Sequence, residues 1–372
     1  MLKGDLTPSE KSTTRDPQTG AVVHQITNHP SINHPTYFLT SSFTRNQKAI
    51  LFTSYRTGQA QLFEAFYPDG PIRQLTDGAA VHPFSAILGP SNQVFFVRGG
   101  QVWALDRDTL EERKVAEYDG QLGECSLSRD GEWFVAACKR PDSWGLAVGR
   151  TDGVLRDFVA FPRTIIHPQF CPVDPDWIEF AADPAPRMHR IRRDGSGLEC
   201  LYDHDNDEFV VHETFLGQSR DLVFTVWPKA LKTMDWNSRA IRTIAYFNAW
   251  HITPNRAGTK ILCDTVHPDL GLQLVNVADG SRETLCYPQA SSQGTQWKKS
   301  RYALAEDWAA ARATAEKEKA LSWMEMATDS VYGPQWTHPH PSFSPDEKLV
   351  AFASDRTGHT QVYVCEIPEH LL

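Results

Sequence analysis

SFTRNQKAILFTSYRTGQAQLFEAF at residues 42–66 returns without a gap as SFSPDEKLVAFASDRTGHTQVYVCEI at residues 342–367. Phe43 answers Phe343, Phe52 answers Phe352, and Arg56-Thr57-Gly58 answers Arg356-Thr357-Gly358. Each copy reads as a turn (Arg45-Asn46 or Pro345-Asp346), an alternating strand, a glycine-containing turn and a second strand, which is the order of an antiparallel meander. A four-stranded blade is the natural unit of such a repeat.

Weaker copies lie between these two. Pro90-Ser91-Asn92 precedes QVFFV, Arg129-Asp130-Gly131 precedes EWFVAAC, Pro175-Asp176 precedes WIEFAA, Gln218-Ser219-Arg220 precedes DLVFTVW, and Asn255-Arg256-Ala257-Gly258 precedes TKILCD. Apolar anchors at Phe43, Ile87, Leu127, Phe170, Phe215 and Ile252 recur every 37–45 residues, and Phe343 closes the series after a longer gap. That period predicts an all-β, seven-bladed β-propeller occupying residues 1–372 as one domain. The long gap holds an insertion at about 296–330 between blades six and seven. Its core, YALAEDWAAARATAEKEKALSWMEM at 302–326, is rich in Ala, Glu and Lys and lacks Gly and Pro, so it reads as a helix serving as spacer, lid or subunit contact. GAVVHQIT at 20–27 resembles the segment that ends blade six and is expected to supply the outer strand of blade seven, joining the chain ends and removing open sheet edges.

Composition narrows the function classes. The chain has 41% hydrophobic and 22% charged residues and a net charge of −9, which leaves no electrostatic footprint for nucleic acid or an anionic membrane. An anionic substrate must therefore be met by local cations. The N-terminus carries no apolar run behind Lys3, and the seven cysteines are scattered singly with no CxxC, a pattern that fits a reducing, cytoplasmic setting without disulfides or a zinc knuckle.

Fourteen histidines are many for this length, and His34, His82, His167, His212, His251, His338 and His340 fall just before the anchors, where inner strands begin. Successive rings should then converge on one mouth of the channel. The simpler reading of His34, His82 and His167 is a blade-start residue tied to its neighbours. QWTHPHPSFSP at 335–345 is the most pointed motif: in an extended strand residues i and i+2 share a face, so His338 and His340 can hold one ion, Gln335 can add an amide oxygen, and another imidazole must come from an adjacent blade. Such ligands suit Mn, Fe, Ni or Zn and suit Ca poorly.

The stretch Gln335-Trp336-Thr337-His338-Pro339-His340-Pro341-Ser342-Phe343 resembles the QxTHPHPSF signature of the oligogalacturonate lyases, seven-bladed propellers with a manganese-type site. Asp16-Pro17-Gln18-Thr19-Gly20 and His34-Pro35-Thr36-Tyr37-Phe38 extend the resemblance through most of the chain. It implies that Gln335, His338, His340 and His251 are metal ligands, most simply of Mn²⁺. It also implies that His212, heading His212-Glu213-Thr214-Phe215, is the base, and that Arg187, before Met188, is a carboxylate clamp or proton donor. The chain departs from the family pattern in a compressed segment between Ala181 and Arg187 and in the longer insertion.

The chemistry asks for the same groups. In a 1,4-linked uronate the C5 proton lies α to the C6 carboxylate, so its removal adds charge to an anion. A divalent cation on that carboxylate stabilises the developing charge, and a neutral imidazole then suffices as base. The expected activity is β-elimination on short galacturonate oligomers giving 4,5-unsaturated products, with a small anionic oligosaccharide as partner and a homo-oligomer left open. Two alternatives remain: a propeller that binds proteins through an end face without chemistry, and a lyase of this fold acting on another uronate oligosaccharide. A peptidase propeller is excluded, because no hydrolase domain with a G-x-S-x-G elbow is present. Arg190, Arg192 and Arg193 read as an exposed strand face, Arg239 and Arg242 as a lesser basic group, and Trp297, Trp308, Trp323, Tyr332 and Trp336 as packing or sugar-stacking rings. Asp264 and His267 read as loop residues or as groups behind the site.

Overall fold

The structure is a computed structural model, and the residues it describes are 1–205, 207–291 and 337–372. The helical insertion expected at 296–330, the aromatic residues within it and Gln335 lie outside the described residues. Among the described residues, thirty short strands form seven antiparallel sheets, five of them hydrogen-bonded in chain order and two taking strands from the N-terminal segment. The first strands, Asn33–Pro35, Ile87–Leu88, Gln121–Leu127, Thr164–Phe170, Val210–Phe215, Ala249–Pro254 and Ser342–Phe343, line the channel and carry or adjoin the predicted anchors. Phe43 itself stands just past its strand, in an isolated bridge to Ile50.

The second strands, such as Trp133–Arg140 and Leu349–Ser354, read as nearly continuous apolar runs because both faces are covered. Phe134, Ala136 and Cys138 join a core shared with blade two, whereas Val135 and Ala137 join one shared with blade four. The same division recurs around the ring, giving seven apolar clusters that each span two consecutive blades. The cluster between blades seven and one, with Val362 and Val364 against Phe52 and Phe63, closes the circle.

Closure also uses the chain ends. Val22–Gln25 pairs with Gln361–Glu366, with Val23 opposite Cys365 and His24 opposite Val364. Thr27 Oγ1 donates to Gln361 Oε1 at 2.7 Å across the same seam. The expectation of four strands per blade needs correction at the seam: Ser12–Arg15 adds a fifth strand to blade seven, and Leu6–Thr7 adds one to blade one. Both are short and largely exposed edge strands, too short to give an alternating pattern to detect. Among the described residues, no helix is long and apolar enough to cross a membrane.

Four inner strands break register at one common level, between Leu122 and Cys125, Ile166 and Gln169, Val211 and Thr214, and Ala249 and Ile252. The two residues skipped in each case include Glu124, His167, His212 or His251. A bulge of this kind re-aims a side chain that the pleat would send to one sheet face. His167 and His212, and His340 ahead of blade seven, adopt left-handed backbone with φ of 54°, 56° and 46°. Non-glycine residues seldom hold that conformation unless the surroundings enforce it.

Candidate functional site

His251 from blade six and His338 and His340 from the approach to blade seven meet in the channel. One ligand nitrogen from each lies within 4.8 Å of the others, and all three residues are buried. The ring centroids of His251 and His340 are 3.9 Å apart, those of His251 and His338 5.3 Å. Burial pushes the pKa of His338 down to about 4 and those of His251 and His340 well below the usual histidine value. Each ring is therefore neutral at physiological pH and offers a lone pair, as a metal ligand must.

The rings are held from behind. Asp264, on Lys260–Thr265, accepts the backbone N–H of His251 at 2.7 Å, and its Oδ2 lies 2.8 Å from His251 Nδ1 and 3.3 Å from the backbone N of His340. A carboxylate on Nδ1 leaves Nε2 as the nitrogen free for a cation, the usual support behind a metal-binding histidine. Of the two sequence readings of Asp264, a loop residue or a group behind the site, the structure gives the second, on a completely buried strand position where burial raises its carboxyl to about 7. Trp250 Nε1 donates to His338 Nδ1 at 3.1 Å. Because an indole only donates, Nδ1 holds the lone pair there, so a cation on this ring must displace either that hydrogen bond or the Nε2 proton.

His212, from blade five, packs against the triad's flank with its ring 4.3 Å from His251 and 4.6 Å from Trp250. Its Nδ1 is buried and has no hydrogen-bond partner among the described residues. Burial first, then the neighbouring imidazoles and Arg187, hold its pKa well below the usual value. Arg187 is buried just before the strand Met188–Arg192, with Nη2 3.3 Å from Glu213 Oε1 and Nη1 3.8 Å from Asp183 Oδ1. Burial works against its charge, but Glu213 and Asp183 outweigh that and raise its pKa. A guanidinium so held stays charged and offers hydrogen bonds, and its Nε is left without a partner among the described residues.

Three further features escaped sequence reasoning. Buried Glu179 stands near Glu213, and Gln169 bridges them by donating to Glu179 Oε2 at 3.4 Å and to the Glu213 carbonyl at 3.0 Å. Burial and the charge of Glu213 push the Glu179 carboxyl well up. Tyr37 fills the channel centre, its hydroxyl 2.8 Å from His167 Nε2 and its ring 5.2 Å from His340. Phe38 lies beside it, 5.1 Å from His251 and 5.5 Å from His212. His167, read from sequence as a plain blade-start residue, thus belongs to the ring cluster, 6.1 Å from His212. The signal available was the shared bulge position, which a pattern of apolar anchors does not register.

Other expected residues stand apart. His34 shares a hydrogen bond between Nδ1 and the Pro35 carbonyl at 2.9 Å and packs against Phe84, in keeping with a blade-start role. Arg190 pairs with Glu199 over Trp177 and Trp236, Arg193 pairs with Asp176, and Arg239 also reaches Glu199, so these arginines serve a strand face.

A sequence model of the family described as oligogalacturonate lyase matches residues 130–371. Over 99% of both chains, this chain is 22% identical to an oligogalacturonide lyase of Pectobacterium atrosepticum and 21% identical to an oligogalacturonate lyase of Dickeya dadantii. A solved oligogalacturonate lyase in complex with manganese superposes over 100% of both chains with a TM-score of 0.82 at 21% identity. The oligogalacturonate lyase of Vibrio parahaemolyticus does so with 0.79 at 19%. These likenesses agree on the propeller, and the family match covers well over half of the sequence, including His212, His251, His338 and His340. The chain belongs to the oligogalacturonate lyase family.

Proposed function

We propose that this chain, a single propeller domain over residues 1–372, is a divalent-metal-dependent lyase that cleaves short 1,4-linked galacturonate oligomers by β-elimination. The observation that carries the reading is the convergence of three neutral, buried imidazoles on one point, with a fourth at their flank. His251, His338 and His340 would hold the cation, with Gln335 adding its amide oxygen. An imidazole-rich donor set accepts several first-row divalent ions, and the choice of Mn²⁺ rests on a relative of this fold that binds manganese. When bound, that ion supplies Lewis-acid stabilisation of charge developing on the C6 carboxylate.

The remaining work falls to side chains. His212, kept neutral by burial, takes the C5 proton, and its own burial leaves it no competing partner at Nδ1. Arg187, its charge secured by Glu213, presents Nε–H and fixes the uronate by hydrogen bonds and charge. The electron pair released at C5 forms the C4–C5 double bond as the 4-O group departs, so no water enters the bond-breaking step. Seven free thiols support the cytoplasmic setting. A protein-binding end face would show exposed side chains, whereas these histidines are buried in the channel.

The test is the ultraviolet absorbance of the conjugated unsaturated product on incubation with digalacturonate and Mn²⁺. The reading requires absorbance in the metal-loaded protein and none after chelation. No product from digalacturonate or any longer galacturonate oligomer would reject it.

A further inference from the structure

A cavity of about 420 Å³ is lined in part by Tyr37 and Phe38, the two rings that also pack against the histidine triad. Its lining runs from the bulges of the inner strands to the turns that end them; none of His212, His251, His338, His340 and Arg187 lines it. At its inner end stand Glu124 and His167, and at its mouth stand Arg45, Arg129 and Arg256, one each from the turns of blades one, three and six. Between them the wall is apolar and aromatic, with Phe170 and Phe215 among its residues.

The charges at the two ends are unusual. In a protein of net charge −9, the mouth carries three arginines and the only carboxyl in the lining is Glu124, at the far end. The side chains of Arg45 and Arg129 make no hydrogen bond or ion pair among the described residues. Arg256 gives one guanidinium hydrogen bond to the Pro345 carbonyl at 3.3 Å. At the inner end Glu124 is 7% exposed and His167 4%, yet among the described residues Glu124 Oε2 and His167 Nδ1 lack partners. Buried polar atoms without partners are rare, and the two residues that carry them both belong to the lining of one cavity.

We propose that this funnel is a second, non-catalytic binding site for a single sugar acid, whose carboxylate meets the arginines at the mouth while its hydroxyls reach Glu124 and His167. The orientation follows from charge, since a carboxylate beside Glu124 would be repelled. The apolar wall suits the face of a pyranose ring. The choice of a sugar acid among hydroxy-carboxylates rests on the lyase reading above; the anion-binding funnel does not.

The experiment titrates monomeric galacturonate, which has no glycosidic bond to cleave, into the full chain carrying His340→Ala and freed of divalent ions by chelation. Saturable binding by ligand-observed NMR is expected in the millimolar range, as suits exposed charges, weakening with added salt. The Arg45→Glu, Arg129→Glu double variant should bind about tenfold more weakly, and neutral galactose in place of galacturonate should bind the His340→Ala protein about tenfold more weakly. Both substitutions fall on exposed turn residues, and Arg129→Gln offers a milder version with a smaller loss in the same direction. Absence of saturable binding overturns the proposal, as does equal binding by the double variant or by galactose. Because the tested protein lacks a triad ring and metal, a failed elimination assay leaves this outcome independent.

Discussion

His212 combines a strained backbone, a ring nitrogen unpartnered among the described residues and a neighbour 4.3 Å away that is expected to hold a cation. His212→Ala should therefore lower turnover of digalacturonate by about 10²–10⁴ while leaving metal content, measured by elemental analysis, unchanged. Asp264 acts one step behind: Asp264→Asn keeps the shape but removes the charge behind His251. It should weaken metal affinity about 10–100-fold in a competitive chelator titration. At this scale the sequence was uneven. His338 and His340 were legible because i and i+2 on an extended chain share a face. Asp264 was legible only as one of two readings, because it lies on a strand buried on both faces, where alternation does not tell a channel-facing residue from a blade-facing one. Glu179 and Glu213 were hidden for the same reason.

The bulges are the devices that turn a structural repeat into a site. Each skips two residues at one level of an inner strand, and the blade-start histidines occupy those skipped positions in blades four, five and six. A β-branched residue in left-handed backbone is more strained than asparagine, which tolerates it. His167→Val should thus be less stable than His167→Asn by about 1–2 kcal/mol in denaturant unfolding, although both lose the same ring. Equal stabilities would mean that the bulge does not constrain this position. Blade order and anchors could be read from apolar spacing alone; the bulges could not, since a one-residue irregularity leaves the anchor period intact.

Across the whole molecule, ring closure depends on Val22–Gln25 pairing with the last strand. Val23→Asp would bury an uncompensated charge in the core between blades six and seven and should cost several kcal/mol, seen as a lower melting temperature. Acid should act on the same scale. His34 and His82 are held at about 4 and His167 at about 3 by burial, below the value near 6.5 of an unfolded chain. The unfolded chain thus takes up protons that the native state refuses, and stability falls as pH drops from about 6.5 toward 4, by roughly 1.4 kcal/mol per pH unit for each such proton. Glu124, Asp264 and Glu179, raised by burial, work in the opposite sense but are outnumbered by the histidines. Metal-free protein should therefore melt progressively lower below pH 6.5. The closing strap was legible from its likeness to the end of blade six, whereas the fifth strands on blades seven and one, short and edge-bound, left no periodic trace.

The central claim is that one cation sits among His251, His338 and His340. Anomalous diffraction from crystals grown with Mn²⁺ tests it most directly. A single strong peak within bonding distance of nitrogens from all three rings, lost in His340→Ala, is the predicted result. Manganese bound elsewhere, or no peak in metal-saturated crystals, would contradict it.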